Sequence, residues 1–168
     1  RSGGPDSKVL LDWQTAEKLP WGVLLLFGGG LALATMIKSS GLAEWLAQNF
    51  SLLSAWPIFA MVLVIVAVII FLTEITSNTA TTATFLPLLG ALAVAQSVSP
   101  MLFVIPAAIA ASCAFMMPVA TPPNAVVFGS GELRIKDMMQ AGLLLNVFGI
   151  VLISGVGYYL VLALFVAA

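Results

Sequence analysis

The sequence predicts an all-α integral membrane protein that contains a re-entrant helical hairpin and a broken transmembrane helix. Of its 168 residues, 61% are hydrophobic and 8% are charged, whereas a soluble domain carries about 25% charged residues. Between Leu19 and Gly131 the only charged residues are Lys38, Glu44 and Glu74. Two of the apolar segments are also interrupted by polar residues or prolines, which a plain membrane span does not require.

The composition excludes several other classes of protein. A net charge of −1 provides no basic surface for nucleic acid, so we expect no nucleic-acid partner. His is absent, which removes the usual proton shuttle and metal ligand. The single cysteine, Cys113, lies in an apolar segment, and we interpret it as a buried, unreactive thiol.

The chain begins with residues 1–18, which are polar and are predicted to be a loop or an expression remnant without a signal peptide. Residues 19–56 are assigned to a transmembrane helix and an interfacial helix. The apolar segment Trp21–Ile37 has the length of one short span, and its Gly28–Gly30 run favours close helix packing. Apolar residues recur at helical spacing in Gly41–Phe50, which predicts a helix lying along the interface.

The first interruption lies in residues 57–96. Two apolar arms, Ile58–Leu72 and Phe85–Ala95, flank the segment Thr73–Thr84, which holds seven hydroxyl residues, Glu74 and an asparagine. As one helix this stretch would be about 57 Å long, nearly twice the roughly 30 Å of hydrocarbon in a bilayer. One straight span is therefore excluded.

Two arrangements of this segment remain open. It forms either two spans joined by an exposed polar turn or a re-entrant hairpin whose tip lies within the membrane. We favour the hairpin because each arm is short for a full crossing and the turn contains no Gly, Pro, Lys or Arg. The tip would then line a polar cavity or be covered by protein.

The second interruption lies in residues 100–131. An apolar helix is predicted over Met101–Pro118, and it breaks at Pro122 and Pro123 because proline lacks the N–H that a helix needs. A kink without function is the alternative, but the flanking Thr121 and Asn124 would add polar groups to freed backbone carbonyls.

The final segment, residues 138–166, is predicted to be a plain transmembrane helix, since Ala141–Val166 carries no charge. Basic residues orient the chain. Lys38 stands alone on one side, and the other side holds Arg1, Lys8, Lys18, Arg134 and Lys136. We therefore expect the N-terminal side to be cytoplasmic and the C-terminus to lie outside.

Two broken elements in one membrane chain indicate a transporter site, because each break exposes helix ends. Helix N-termini are expected near Ser77, Asn78 and Thr79 and near Asn124, where N–H groups could hold an anion without Lys or Arg. Neutral oxygens suited to sodium are expected on Thr73, Ser77 and Asn78 and on the carbonyl of Ala120. Together these predict co-transport of an anion and sodium.

Glu74 has three possible roles at this stage. It could neutralise a cation, relay a proton, or cap and brace the hairpin turn. We favour bracing, because a fixed negative charge would oppose an anionic substrate and no basic residue lies in the same apolar region.

The motif Ser77–Thr79 within TEITSNTATTATFLPLL, followed by Ala-Thr-Pro-Pro-Asn at Ala120–Asn124, strongly resembles the divalent anion:sodium symporter family and its bacterial INDY-type dicarboxylate carriers. The resemblance extends from about Asp12 to the C-terminus. It implies one of two inverted repeats, the C-terminal one, in a secondary active transporter. Such a carrier couples sodium entry to uptake of di- or tricarboxylates, such as succinate or citrate, by an elevator movement.

By the same resemblance, the substrate-binding residues are Ser77, Asn78, Thr79, Thr121 and Pro122. The sodium-site residues are Thr73, Ser77, Asn78 and Ala120. The implied partners are sodium, a small dicarboxylate or citrate anion, membrane lipid, the N-terminal repeat and a second copy in a homodimer. The implied location is the bacterial inner membrane. Since one Ser-Asn-Thr motif is present where two are expected, we do not expect these residues alone to transport.

Two other functions stay open at the level of sequence. An ion channel could use a re-entrant loop, but no series of carbonyls or acidic residues indicates a pore. A membrane scaffold subunit would need no polar interruptions. An intramembrane enzyme is not expected, because Ser130 has no histidine to activate it.

Overall fold

The computed structural model describes residues 12–19, 21–42, 45 and 56–166. These residues contain helices and no strand, which confirms the all-α prediction for the described part of the chain. The helices are α1 (Trp13–Glu17), α2 (Trp21–Ser39), α3 (Ile58–Thr73), α4 (Asn78–Ala95), α5 (Met101–Ala110), α6 (Pro122–Gly129) and α7 (Ile135–Val161), and α7 continues into a π-helical turn, Leu162–Val166. Most of the predicted interfacial helix lies outside the described residues, as do residues 1–11.

Part of the predicted N-terminal loop is helical. Helix α1 begins because the Asp12 side chain accepts a hydrogen bond from the N–H of Thr15 at 2.8 Å, a typical N-cap. The same hydrogen bond lowers the pKa of Asp12. The indole N–H of Trp21, the first residue of α2, donates to the carbonyl of Ala16 at 2.8 Å and joins the two helices.

Helix α2 packs against α4. At Gly30 an added Cβ would lie 3.0 Å from the carbonyl oxygen of Ala83 in α4, so the predicted close packing occurs at this glycine. Gly28 and Gly29 have nothing within 4 Å of an added Cβ. One glycine of the three therefore accounts for the approach of the two helices.

The core surrounds α5, which contacts α3, α4 and α7. Phe103 and Ala107 of α5 are fully buried, and Val62, Val66 and Ile70 of α3 are buried with them. Helices α3 and α4 contact each other less than either contacts α5. The two arms on either side of the first interruption are thus linked to each other mainly through α5, while α3 also packs against α7 and α4 against α2.

Helix α7 combines a buried face with an apolar exposed face. Its start at Ile135 lies before the predicted boundary at residue 138. An added Cβ on Gly157 would lie 3.1 Å from Cγ of Pro106, so α7 approaches α5 closely. Phe148 and Val151 on the other face are 64% and 65% exposed, as expected of a surface that meets lipid.

In the part of the chain that the structure describes, two helical stretches, α4 and Ile135–Phe165, are long and apolar enough to cross a membrane by length and composition. Helix α3 is apolar but shorter, at 16 residues. At 1.5 Å per residue its length is about 24 Å, below the hydrocarbon thickness of about 30 Å.

Two of the non-helical segments between these helices form the site described below, and we call them the turn (Glu74–Ser77) and the connector (Ala111–Thr121). The turn joins α3 to α4 where the sequence predicts the first interruption. The connector begins earlier than predicted, because the helix expected to reach Pro118 ends at Ala110. Its backbone instead bonds to side chains of other elements, as described below.

Candidate functional site

The turn leads into α4 through an N-cap at Ser77. Its side-chain oxygen accepts from the N–H of Ala80 at 3.4 Å, and α4 begins at Asn78. The predicted helix start near Ser77 to Thr79 is therefore confirmed. The first N–H groups of such a helix lack intrahelical partners and carry a partial positive charge.

The connector leads into α6 in the same way. Thr121 is the N-cap, and its hydroxyl oxygen accepts from the N–H of Asn124 at 3.4 Å. Pro122 occupies the first helical position, where its missing N–H leaves no hydrogen bond unmade. The prolines thus start a helix here, after the earlier helix has already ended at Ala110.

Glu74 is buried, with 4% of its surface exposed, and its carboxylate faces the connector. Oε1 accepts from the N–H groups of Phe115 and Met116 at 2.8 and 3.0 Å. Oε2 accepts from the N–H groups of Met116 and Met117 at 3.1 and 3.0 Å. The amide of Asn146 in α7 donates to Oε1 at 2.8 Å. Within the described residues Glu74 makes no ion pair, so hydrogen bonds alone stabilise it.

Asn124 satisfies the carbonyl groups of the connector. Its Nδ2 donates to the carbonyl of Ala114 at 2.9 Å and to that of Met117 at 3.0 Å. Because a buried carbonyl without a donor is costly, these bonds explain how the connector avoids regular secondary structure. The asparagine after the two prolines is therefore a structural partner of the connector.

Three oxygen atoms meet between the turn and the connector. The hydroxyl oxygen of Thr73 lies 2.6 Å from Oδ1 of Asn78 and 2.9 Å from the carbonyl oxygen of Ala111. Thr73 has one hydroxyl hydrogen, so it can donate to one of these acceptors at a time. A cluster of neutral oxygens short of protons is chemically suited to a hard cation.

An open pocket of about 580 Å³ lies between the turn and the connector. Its volume falls in the usual range for small-molecule sites. Its lining residues are Glu74, Ile75, Thr76, Ser77, Asn78, Thr79, Val119, Ala120, Thr121 and Pro122. Every predicted site residue except Thr73 lines this pocket, and no Lys or Arg is found among its described lining residues. Thr73 is fully buried and meets the site through its contact with Asn78.

The structure thus brings the predicted residues together, while their binding roles stay predictions. Sequence reasoning missed Asn146 and the N–H groups of Phe115 to Met117. An asparagine in the otherwise apolar segment Ala141–Val166 was the available signal, because a polar side chain in such a helix usually has a specific partner. Backbone groups such as the Ala111 carbonyl carry no such signal.

Comparison with known proteins gives the same family as the motifs. Residues 7–166 match the family model described as "Sodium:sulfate symporter transmembrane region". A protein from Staphylococcus saprophyticus named sodium-dependent dicarboxylate transporter SdcS is 53% identical over 154 residues. A protein of the same name from Staphylococcus aureus is 50% identical over 151 residues.

These matches cover 92% and 90% of this chain but only 30% and 29% of the two relatives. The chain therefore spans less than a third of the length of these relatives. Their descriptions are those of transporters and not of enzymes. Since the family model covers nearly all of the sequence, the chain belongs to the sodium:sulfate symporter family, which is the divalent anion:sodium symporter family predicted from its motifs.

Proposed function

We propose that these residues are the C-terminal repeat of a secondary active transporter that couples sodium entry to uptake of di- or tricarboxylate anions such as succinate or citrate. The observation that carries the proposal is the meeting of the turn and the connector at one pocket. The dicarboxylate named in the relatives' descriptions supports the class of substrate.

The anion would bind at the two helix N-termini. Ser77, Asn78 and Thr79 begin α4, and Thr121 and Pro122 begin α6. The partial positive charge at the start of α4 favours a carboxylate and needs no buried Lys or Arg. Pro122 and Pro123 have no N–H and the N–H of Asn124 already bonds to Thr121, so at α6 the Thr121 hydroxyl would donate to a second carboxylate.

Sodium would bind through neutral oxygens of Thr73, Ser77, Asn78 and Ala120. The short contact between Thr73 and Asn78 supports this assignment, because a cation could occupy oxygens that now compete for one proton. Asn78 belongs to both proposed sites, so occupation of one would alter the other. This shared residue provides a physical route for coupling sodium to the anion.

The membrane arrangement is part of the same proposal. Residues 57–96 would form a re-entrant hairpin entering from the outside, and residues 100–131 a broken transmembrane helix. The N-terminal side would be cytoplasmic and the C-terminus outside, in a bacterial inner membrane. The second repeat would lie elsewhere in the carrier, which would act as a lipid-embedded homodimer and move its binding domain as an elevator.

Sodium-driven succinate uptake by the complete carrier in proteoliposomes tests the function. We expect saturable uptake that requires sodium, and Asn78→Ala to weaken sodium activation about tenfold, or about 1.4 kcal/mol. Gln140→Ala, on an exposed surface of α7, serves as the control and should match the wild type. Unsaturable flux would favour a channel, and unchanged sodium activation in Asn78→Ala would remove Asn78 from the sodium site.

Labelling of Thr79→Cys by a membrane-impermeant thiol reagent tests the hairpin. In a carrier that is otherwise free of cysteine, with Cys113 replaced by serine, we expect labelling from the outside that falls when sodium and succinate are added. Elevator movement could expose the same site inward, so sidedness is judged together with ligand protection. Rapid labelling from the cytoplasm alone, unaffected by either ligand, would show an ordinary loop between two spans.

A further inference from the structure

Glu74 is a buried charged residue that the proposed sodium and anion sites do not use. It follows Thr73 directly and begins the turn, yet all of its side-chain hydrogen bonds reach the connector or α7. We propose that Glu74 is a positioning residue that holds the turn and the connector at a fixed separation across the pocket, supported by Asn146. This inference rests on the proposed function, which makes that separation matter for binding.

The geometry of the contact fixes both distance and orientation. Three consecutive N–H groups, those of Phe115, Met116 and Met117, converge on one carboxylate at 2.8 to 3.1 Å. Successive backbone N–H groups of this kind form a concave anion-binding site. Here the anion is the Glu74 side chain, so the contact links the turn to the connector.

Helix α7 holds the connector from its other side. Asn146 is fully buried and donates to Glu74 at 2.8 Å. One helical turn earlier, Gly142 allows the backbone of Phe115 and Met116 to lie directly against α7, since an added Cβ would be 2.6 Å from Cα of Met116. The connector is therefore held between Glu74 and α7.

This contact is well placed to set the shape of the pocket. Glu74 lies beside Thr73 and within the turn, while its bound N–H groups lie just before Ala120 and Thr121 in the connector. A weaker parallel link is the hydrogen bond of Thr73 to the Ala111 carbonyl. Loss of the Glu74 contact would let the two sides of the pocket separate.

The hydrogen bonds also decide among the roles open to Glu74. Both carboxylate oxygens already accept from N–H donors, three on Oε1 and two on Oε2, with the Met116 N–H shared. A proton or cation bound at this carboxylate would have to break these bonds. A role in bracing the turn against the connector leaves these hydrogen bonds intact and accounts for all of them.

A distance measurement tests the inference directly. Ile75 and Val119 line the pocket from the turn and from the connector and are 76% and 82% exposed, so both can carry spin labels in a complete carrier from which Cys113 and any other cysteine have been removed. Glu74→Gln places an amide donor against the N–H donors of the connector, and we expect a broader and longer distance distribution. Glu132→Gln, an exposed glutamate in the loop before α7, should leave the distribution unchanged. An unchanged distribution in Glu74→Gln would overturn the inference.

Asn146→Ala decides the question if Glu74→Gln does not fold. It removes the side-chain donor and keeps the three backbone N–H donors, so we expect a smaller broadening, and no broadening would overturn the inference.

Transport constants separate positioning from mere stabilisation of the fold. In folded protein, Glu74→Gln should raise the sodium activation constant and the substrate KM together, each about tenfold, and preserve kcat. Unchanged constants with less folded protein would show a purely structural role and contradict positioning. If the wild type shows no sodium-driven uptake, the proposed function fails, and the distance distributions alone decide the inference.

Discussion

The turn and the connector each lead into a helix that begins at the pocket, but different contacts stabilise the two segments. Each ends at a hydroxyl residue that caps the next helix, Ser77 for α4 and Thr121 for α6. The turn is short, and its hydroxyl groups bond to nearby residues, as when Thr76 donates to the carbonyl of Leu72. The connector is long, and its backbone bonds to the side chains of Thr73 in α3, Glu74 in the turn and Asn124 in α6.

This difference shows which residues determine the conformation of each segment. Apart from Glu74, the turn is determined largely by residues close in sequence, since the Thr76 hydroxyl contacts Leu72 and Thr81. The connector depends on groups far away in sequence, since Glu74 lies 41 to 43 residues from the N–H groups that donate to it, and Asn146 in turn donates to Glu74 from 72 residues away. Damage to distant residues should therefore disturb the connector more than the turn.

The largest effect is expected from Gly142→Ala. An added Cβ would overlap the carbonyl of Phe115 and lie 2.6 Å from Cα of Met116, and neither is a flexible side-chain end that could move aside. We expect a loss of about 3 kcal/mol in the free energy of unfolding, as for severe overpacking, measured by equilibrium unfolding in detergent micelles.

Gly149→Ala is the matched control for this prediction. It lies on the same helix, and its added Cβ would meet Cδ1 of Ile70 at an ordinary 3.8 Å. Both substitutions gain the same helix propensity, so the clash alone separates them. Equal stabilities of the two variants would show that the connector can shift away from α7 at little cost.

A smaller effect is expected from Asn124→Ala. The change leaves the carbonyls of Ala114 and Met117 without their side-chain donor, and we expect a loss of about 2 kcal/mol. Ser130→Ala is a suitable control, because Ser130 is exposed and donates to the local carbonyl of Val127. Full stability of Asn124→Ala would mean that the connector does not need this support. The measurement is unfolding without sodium or substrate.

The smallest effect is expected at the two caps. Ser77→Ala removes the side-chain acceptor at the start of α4, and we expect a loss of about 1 kcal/mol. Thr121→Ala should cost about half as much, because Pro122 and Pro123 already fix the backbone for the start of α6. Thermal unfolding without ligands measures both. A larger loss for Thr121→Ala would show that the prolines contribute less than the hydroxyl group.

Sequence patterns predicted the helical class, the start of α4 and the residues that meet at the pocket. These features depend on local signals, namely apolar length, the hydroxyl-rich segment and the Pro-Pro pair. The end of α5 at Ala110 was predicted wrongly, since apolar residues continue to Pro118 and helical propensity gives no reason to stop. Beyond Ala110 the backbone groups of the connector bond to the side chains of Thr73, Glu74 and Asn124 in place of helical partners, and these contacts exist only when the chain is folded.

The contact between Glu74 and the connector has a consequence for mutational tolerance. The connector contributes peptide N–H groups and no side chains to this contact, so Phe115, Met116 and Met117 can be exchanged for other apolar residues without losing it. Proline is the exception, because it would delete a donor at any of the three positions. Variation among relatives is therefore a poor guide to the importance of this stretch. Proline substitutions at these positions would therefore detect the contact with Glu74, whereas alanine substitutions would not.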